Sequence, residues 1–150
     1  MSPKTTTTPA ACPFCAIVAG EAEARVVLDD DVAVAFLDVR PLFGGHTLVV
    51  PRDHHETLPD LPFDQVGPLF ERVQRLSLAV RDATGAEGTF VAANNKVSQS
   101  VPHLHVHVVP RTKGDGLRGF FWPRTPYADG QADVVAAAIR EELERLNPPG

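Results

Sequence analysis

The chain has 150 residues, 43% of them hydrophobic, enough for one domain with a real core and too few to expect two. Fourteen basic against 19 acidic residues leave a net charge of −5, which argues against a broad, sequence-independent grip on nucleic acid. No run approaches the roughly 20 consecutive apolar residues of a membrane span. The opening MSPKTTTTPAA lacks the apolar core of a signal peptide, so a cytoplasmic protein with no membrane partner is expected.

Residues 1–11, rich in Thr and Pro, read as a disordered tail outside the fold. RVVLDDDVAVAFLDVRP predicts two short strands, over 25–28 and 32–37, around an acidic turn, because Asp is a poor strand former. GGHTLVVP predicts a third strand, opened by Gly44 and Gly45 and closed by Pro51. Over 63–84 the period becomes helical: Val66, Leu69, Phe70, Val73, Leu76 and Val80 recur at i, i+3, i+4 and i+7. Asp64 is the expected N-cap and Gly85 the stop, with Pro68 placed early enough to be tolerated. GTFVAANN and HLHVHVVP predict two further strands, separated by the polar loop KVSQS. RTKGDGLRGFFWPRTPY has no clear period, and residues 132–146 predict a terminal helix with Val135, Ile139, Leu143 and Leu146 inward. Strands, a long helix, then strands again indicate an α+β domain with an antiparallel sheet and no internal repeat.

Half of the six histidines fall in VPHLHVHVVP, at every second position. On a strand His103, His105 and His107 share one face, about 6.6 Å apart at a rise of about 3.3 Å per residue. That spacing lets imidazoles converge on a phosphate-sized group or on a metal ion. Three buried imidazolium groups would repel one another, so some must be neutral and offer a lone pair. His has no strand propensity that explains such repetition. Residue chemistry leaves two readings open: an H-x-H metal site, or phosphoryl or nucleotidyl transfer by a histidine nucleophile. The only cysteines, Cys12 and Cys15, are spaced C-x-x-C. A redox pair would need a preceding strand and finds only the tail. A structural zinc would need two further ligands, which histidines can supply.

HLHVHVV resembles the histidine-triad motif, with an apolar residue after each His, and the chain is similar to the HIT superfamily of nucleotide hydrolases and transferases. CPFCAIVAGEAEARVV, AFLDVRPLFGGHTLVVPRDH and NNKVSQSVPHLHVHVVPR resemble family segments in order, over most of 12–111. The resemblance, to the Hint-like branch, implies a HIT-like fold. Its features would be a five-stranded antiparallel sheet, one long helix and a C-terminal helix, in a single domain over 12–150 with a C-terminal extension, assembled as a homodimer. It implies cleavage of the bond between the α-phosphate of a nucleoside monophosphate and its leaving group, in a phosphoramidate or a dinucleoside polyphosphate, through a nucleotidyl-histidine intermediate.

By the same resemblance His105 is the nucleophile, His107 contacts the phosphate, His46 is a fourth histidine lining the site, and Ser100 and Gln99 lie on the leaving-group side. Asn94 is implied at the phosphate or its bridging group, and Asp38 at the ribose hydroxyls. Phe14, Ile17, Phe36 and Val39 form the slot for a base, a purine being favoured. Zinc-bearing relatives imply Cys12, Cys15, His54 and His103 as ligands of a structural zinc, with no catalytic cofactor and with His55 exposed. The loop NNKVSQ is shorter than the Gly-rich family loop, which leaves the class of leaving group open. Trp122, in a segment resembling one that shapes the partner subunit's site, has packing as its other reading. Arg111, Lys113 and Arg118 would add positive potential for polyphosphate. The alternatives are a nucleotide-binding or scaffold protein with vestigial hydrolysis, and a protein whose whole triad binds metal. Gln99 and Ser100 favour the enzyme, since a pure metal site has no use for them.

Overall fold

A computed structural model of the chain describes residues 12–117 and 124–146; the expected tail, Arg118 and Trp122 lie outside them. The chain divides into two compact units, one ending at Asp115 and the other beginning at Gly116. The first holds α1 (Pro13–Val18), β1 (Val26–Asp29), β2 (Ala33–Leu37), β3 (Thr47–Pro51), α2 (Phe63–Thr84), β4 (Gly88–Ala92) and β5 (Val106–Arg111). All neighbouring strands are antiparallel, in the order β1-β2-β3-β5-β4, so the fold is the α+β five-stranded sheet that the sequence implied.

Alternation along the central strands builds two cores. Ala33, Ala35, Val49, Val106 and Val108 face the side covered by Leu69, Val73, Leu76 and Val80 of α2. Val34, Phe36, Leu48 and Val50 face the other side, with Cys12 and Phe14. Both faces are therefore covered, and β3 is buried along its whole length. Asp30 fastens the β1–β2 turn to α2: Oδ1 accepts from the Val32 and Ala33 amides at 2.9 and 3.0 Å, and Oδ2 accepts from Arg72 Nε at 3.0 Å.

Several boundaries differ from the expected ones. Pro62 occupies the N-cap of α2 without a side-chain bond, and Asp64 sits in the first turn, where a carboxylate favours the positive helix end. Pro68 lies inside the helix, which continues through it, and Gly85 ends it in the left-handed region at φ 71°. β4 stops at Ala92, leaving Asn94 and Asn95 in the loop. β5 begins only at Val106, so His107 alone of the triad is within a strand. α1 was not legible as a helix; Cys12 caps it and Pro13 opens it.

The second unit contains α3 (Gln131–Arg145). The expected inward positions Ile139, Leu143 and Leu146 are exposed, and no residue of α3 is buried. Periodicity identifies the apolar side of a helix but not whether anything covers it. No helix among the described residues is long and apolar enough to cross a membrane.

Candidate active site and metal-ligand cluster

Strand register lines up the centre of the site. Phe36 pairs with Leu48 and Leu48 with His107, so one row across β2, β3 and β5 presents an apolar end and an imidazole on the same face. Beneath this face lies a cleft of about 280 Å³, lined among others by Phe14, Ile17, Phe36, Asp38, Ser100, His105 and His107. A more open hollow of about 660 Å³ continues from it along Glu23, Leu37, Asp38 and Val39. The expected base-slot residues thus share one cleft with two triad histidines. Val39 forms its lip at 90% exposure, and Leu48 joins its wall, a role visible only from the strand register.

The triad histidines have separate tasks, set by what each nitrogen meets. His105 Nδ1 lies 2.8 Å from the main-chain oxygen of His103. A carbonyl only accepts, so Nδ1 carries a proton, and in the neutral ring Nε2 keeps its lone pair. His46 Nδ1 accepts from the Leu42 amide at 3.0 Å, so its proton is on Nε2. That Nε2–H donates to His107 Nδ1 at 3.0 Å, which leaves the His107 proton on Nε2. Burial lowers the pKa of His46 against the opposing charge of Asp38, 3.6 Å from its Nε2. Burial, followed by the charges of His105 and His46, pushes His107 down to about 4. Both are neutral near pH 7, as this chain of donors requires.

Asp38, His46 and His107 bring their ligand atoms close enough for a metal ion. The Leu42 amide excludes that use, because it occupies Nδ1 and leaves Nε2 of His46 protonated, with no lone pair for a cation.

His103 turns the other way. Its Nδ1 lies 3.4 Å from Cys12 Sγ and 3.5 Å from Cys15 Sγ, and Cys15 Sγ lies 3.2 Å from His54 Nδ1. All four donor atoms fall within 4.8 Å of one another and can hold a metal ion. Bond lengths of about 2.3 Å to sulfur and about 2.0 Å to nitrogen put tetrahedral S and N ligands about 3.5 Å apart, as found here. His103 Nε2 donates to the Pro51 carbonyl at 3.1 Å, which leaves Nδ1 free to ligate. Burial, ahead of the neighbouring Cys12, pushes the Cys15 thiol up to about 12, so Cys15 is protonated as the cluster stands and a cation would displace that proton.

The remaining expected residues divide. Ser100 lines the cleft. The Gln99 amide is engaged at both ends, accepting from Lys96 N at 2.8 Å and donating to Glu56 O at 2.6 Å, and Asn94 donates to Ser98 O at 3.2 Å. These three bonds brace a loop in which Lys96 and Ser98 have positive φ, 74° and 62°. Arg111 forms a two-bond pair with Asp115. His55 is half-buried rather than exposed, its carbonyl accepting from Leu104 N.

The family model of the HIT domain matches residues 19–114. A solved HIT-family structure from Bacillus subtilis superimposes with a TM-score of 0.80 at 33% identity, covering 89% of this chain and 97% of that one. A zinc-bound histidine triad family protein from Mycobacterium smegmatis gives 0.69 at 35% identity, covering 91% and 99%. The adenosine 5′-monophosphoramidase hnt1 of Schizosaccharomyces pombe is 27% identical over 135 residues, 89% of this chain and 98% of that one. By sequence and by fold, the chain belongs to the HIT family.

Proposed function

We propose that the chain is a nucleotide hydrolase or nucleotidyl transferase that cleaves the bond between an α-phosphate and its leaving group by way of His105. The observation that carries this reading is the 2.8 Å contact of His105 Nδ1 with the His103 carbonyl, which turns an unprotonated Nε2 to the task of attack. Nε2 forms a bond to the α-phosphorus; the bond to the leaving group breaks, and the leaving group takes the electron pair and a proton from solvent, which the attacking water returns in the second step. His107 donates its Nε2–H to a phosphoryl oxygen, where negative charge develops. Water then attacks the nucleotidyl-histidine, releases a nucleoside monophosphate and restores His105.

Asp38 accepts from the ribose hydroxyls, an acceptor-only task suited to a carboxylate. Phe14, Ile17, Phe36 and Val39 take the base, a purine being favoured, and Ser100 lies on the leaving-group side. Gln99 and Asn94 act through the loop they brace. A phosphoramidate is the favoured substrate, supported by the S. pombe relative's name, with a dinucleoside polyphosphate as the other candidate. Zinc is the proposed metal, held by Cys12, Cys15, His54 and His103, in support of the fold and not as a reactant; the zinc-bound relative favours it. A cytoplasmic homodimer with a C-terminal extension and no nucleic-acid partner completes the proposal, the last supported by the net charge of −5.

The test is intact-protein mass spectrometry after brief incubation with adenosine 5′-phosphoramidate. The quench is denaturing at neutral pH, because a phosphorus–nitrogen bond is acid-labile. Wild type should gain the mass of one adenylyl group, and His105→Ala should gain none while still binding AMP. Tight AMP binding with neither adduct nor turnover would replace the enzyme with the binding-protein reading.

A further inference from the structure

We infer that the Cys12/Cys15/His54/His103 cluster governs the geometry of His105, with His103 as the positioning residue that transmits it. This rests on His105 being the nucleophile and extends that reading to how its geometry is controlled. His103 is fully buried and makes three different connections. Its Nδ1 lies among the two cysteines, its Nε2 bonds to Pro51 at the end of β3, and its main-chain oxygen accepts the His105 Nδ1 proton. The carbonyl that fixes the His105 tautomer therefore belongs to a residue whose ring is a prospective metal ligand.

A second route runs through α1. Phe14 lies between the two cysteines in sequence, and its ring meets His105 edge-on at 5.0 Å and His103 at 6.0 Å. It also packs on Phe36 at 5.3 Å, in the proposed base slot. α1 has six residues, too few to be stable by itself, and thiols are weak donors to imidazole. A cation binding all four donors would draw Cys12, Cys15 and His103 into one rigid unit and fix both groups that hold the His105 ring. Without it, the ring of His103 is restrained by the Pro51 bond, weak thiol contacts and apolar packing, beside the bond of its own amide to Val101 O at 2.8 Å. The metal would then act on nucleophile geometry and base binding as well as on overall stability.

The test compares the full chain loaded with zinc, stripped by a chelator under reducing conditions, and reloaded. Ring-labelled ¹⁵N NMR at fixed neutral pH reads the His105 tautomer and the exchange of its Nδ1–H. Calorimetry reads AMP affinity, and single-turnover adenylylation reads the chemistry. Stripping should speed Nδ1–H exchange and slow adenylylation by about tenfold or more, since small displacements of reacting groups have effects of that order. AMP affinity should fall several-fold, and zinc should restore all three. Failure to take up zinc, or a folded stripped chain with unchanged ring signals and AMP affinity, overturns the inference.

If stripping unfolds the chain, His54→Gln decides, since it weakens the metal's hold at a ligand with no contact to His105. Faster Nδ1–H exchange in the folded variant supports the coupling, and unchanged exchange with the metal lost refutes it. Ring signals that respond to zinc in a chain that never forms an adduct would leave the coupling standing and remove the proposed reaction instead.

Discussion

At the scale of single residues, each site histidine owes its protonation pattern to a group on its far nitrogen: a carbonyl for His105, an amide for His46, and His46 itself for His107. Replacing His46 by Ala removes the donor to His107 Nδ1 and leaves the Leu42 amide without its acceptor. His107 is then free to take the other tautomer, with its proton turned away from the phosphate. Loss of a tautomer-fixing partner implies a fall in kcat on the order of 10²-fold with a smaller change in KM. Steady-state kinetics beside AMP calorimetry check this; equal losses in kcat and AMP affinity would mean that His46 only supports the fold. The alternation of His103, His105 and His107 was legible in the sequence, and so were Cys12 and Cys15. Their division of labour was expected from the family resemblance alone and not from the residues themselves, because the groups that set it are the carbonyls of Pro51 and His103 and the amide of Leu42. Main-chain groups carry no signature in residue identity. Gln99 illustrates the same limit: its side chain suits a leaving group, yet the loop engages both ends of its amide.

At the scale of elements, α2 was legible because its buried Leu69, Val73, Leu76 and Val80 repeat over many turns and a glycine ends it. α1 was not, since its six residues are too few to display a period, and its anchoring comes from the cysteine and phenylalanine contacts. The turn leading into β3 has its own requirement. Gly45 holds φ at 103°, and a Cβ there would stand 2.7 Å from Thr84 Cγ2 at the end of α2. Gly20 also has positive φ, 78°, but open space where its Cβ would be. Gly20→Ala should therefore cost backbone strain alone, about 1 kcal/mol. Gly45→Ala adds a collision that moves the β3 turn or the α2 terminus, for a total of about 2–4 kcal/mol. Because His46 follows directly, adenylylation should slow for Gly45→Ala and not for Gly20→Ala. Denaturant midpoints and single-turnover rates on the two variants check the ranking, and equal losses of stability would refute it.

At the scale of the whole molecule, the first unit was legible because alternating strands and a periodic helix each name the side they bury. α3 was legible only as a helix, since an apolar stripe does not identify its cover. The first unit also buries histidines in neutral form, which makes its stability depend on pH. His107 titrates near 6.5 when unfolded and is pushed down to about 4 in the fold, first by burial and then by the charges of His105 and His46. Between those values the unfolded chain binds more protons than the native one, so stability rises with pH across the window. The contribution is complete above about pH 6.5 and is lost as the pH falls toward about 4. His107→Gln keeps a polar side chain of similar reach and has nothing to protonate. Urea midpoints of the two chains at several values between pH 7 and 4.5 should therefore converge or cross on acidification, as wild type loses stability faster. Loss of a bound metal at low pH affects both chains and largely cancels in the comparison, and the range stays above the titration of ordinary aspartates. A difference in midpoint that stays constant from pH 7 to 4.5 would mean that His107 is protonated as readily in the fold as in water, and would remove its neutral, hydrogen-donating form from the proposed reaction.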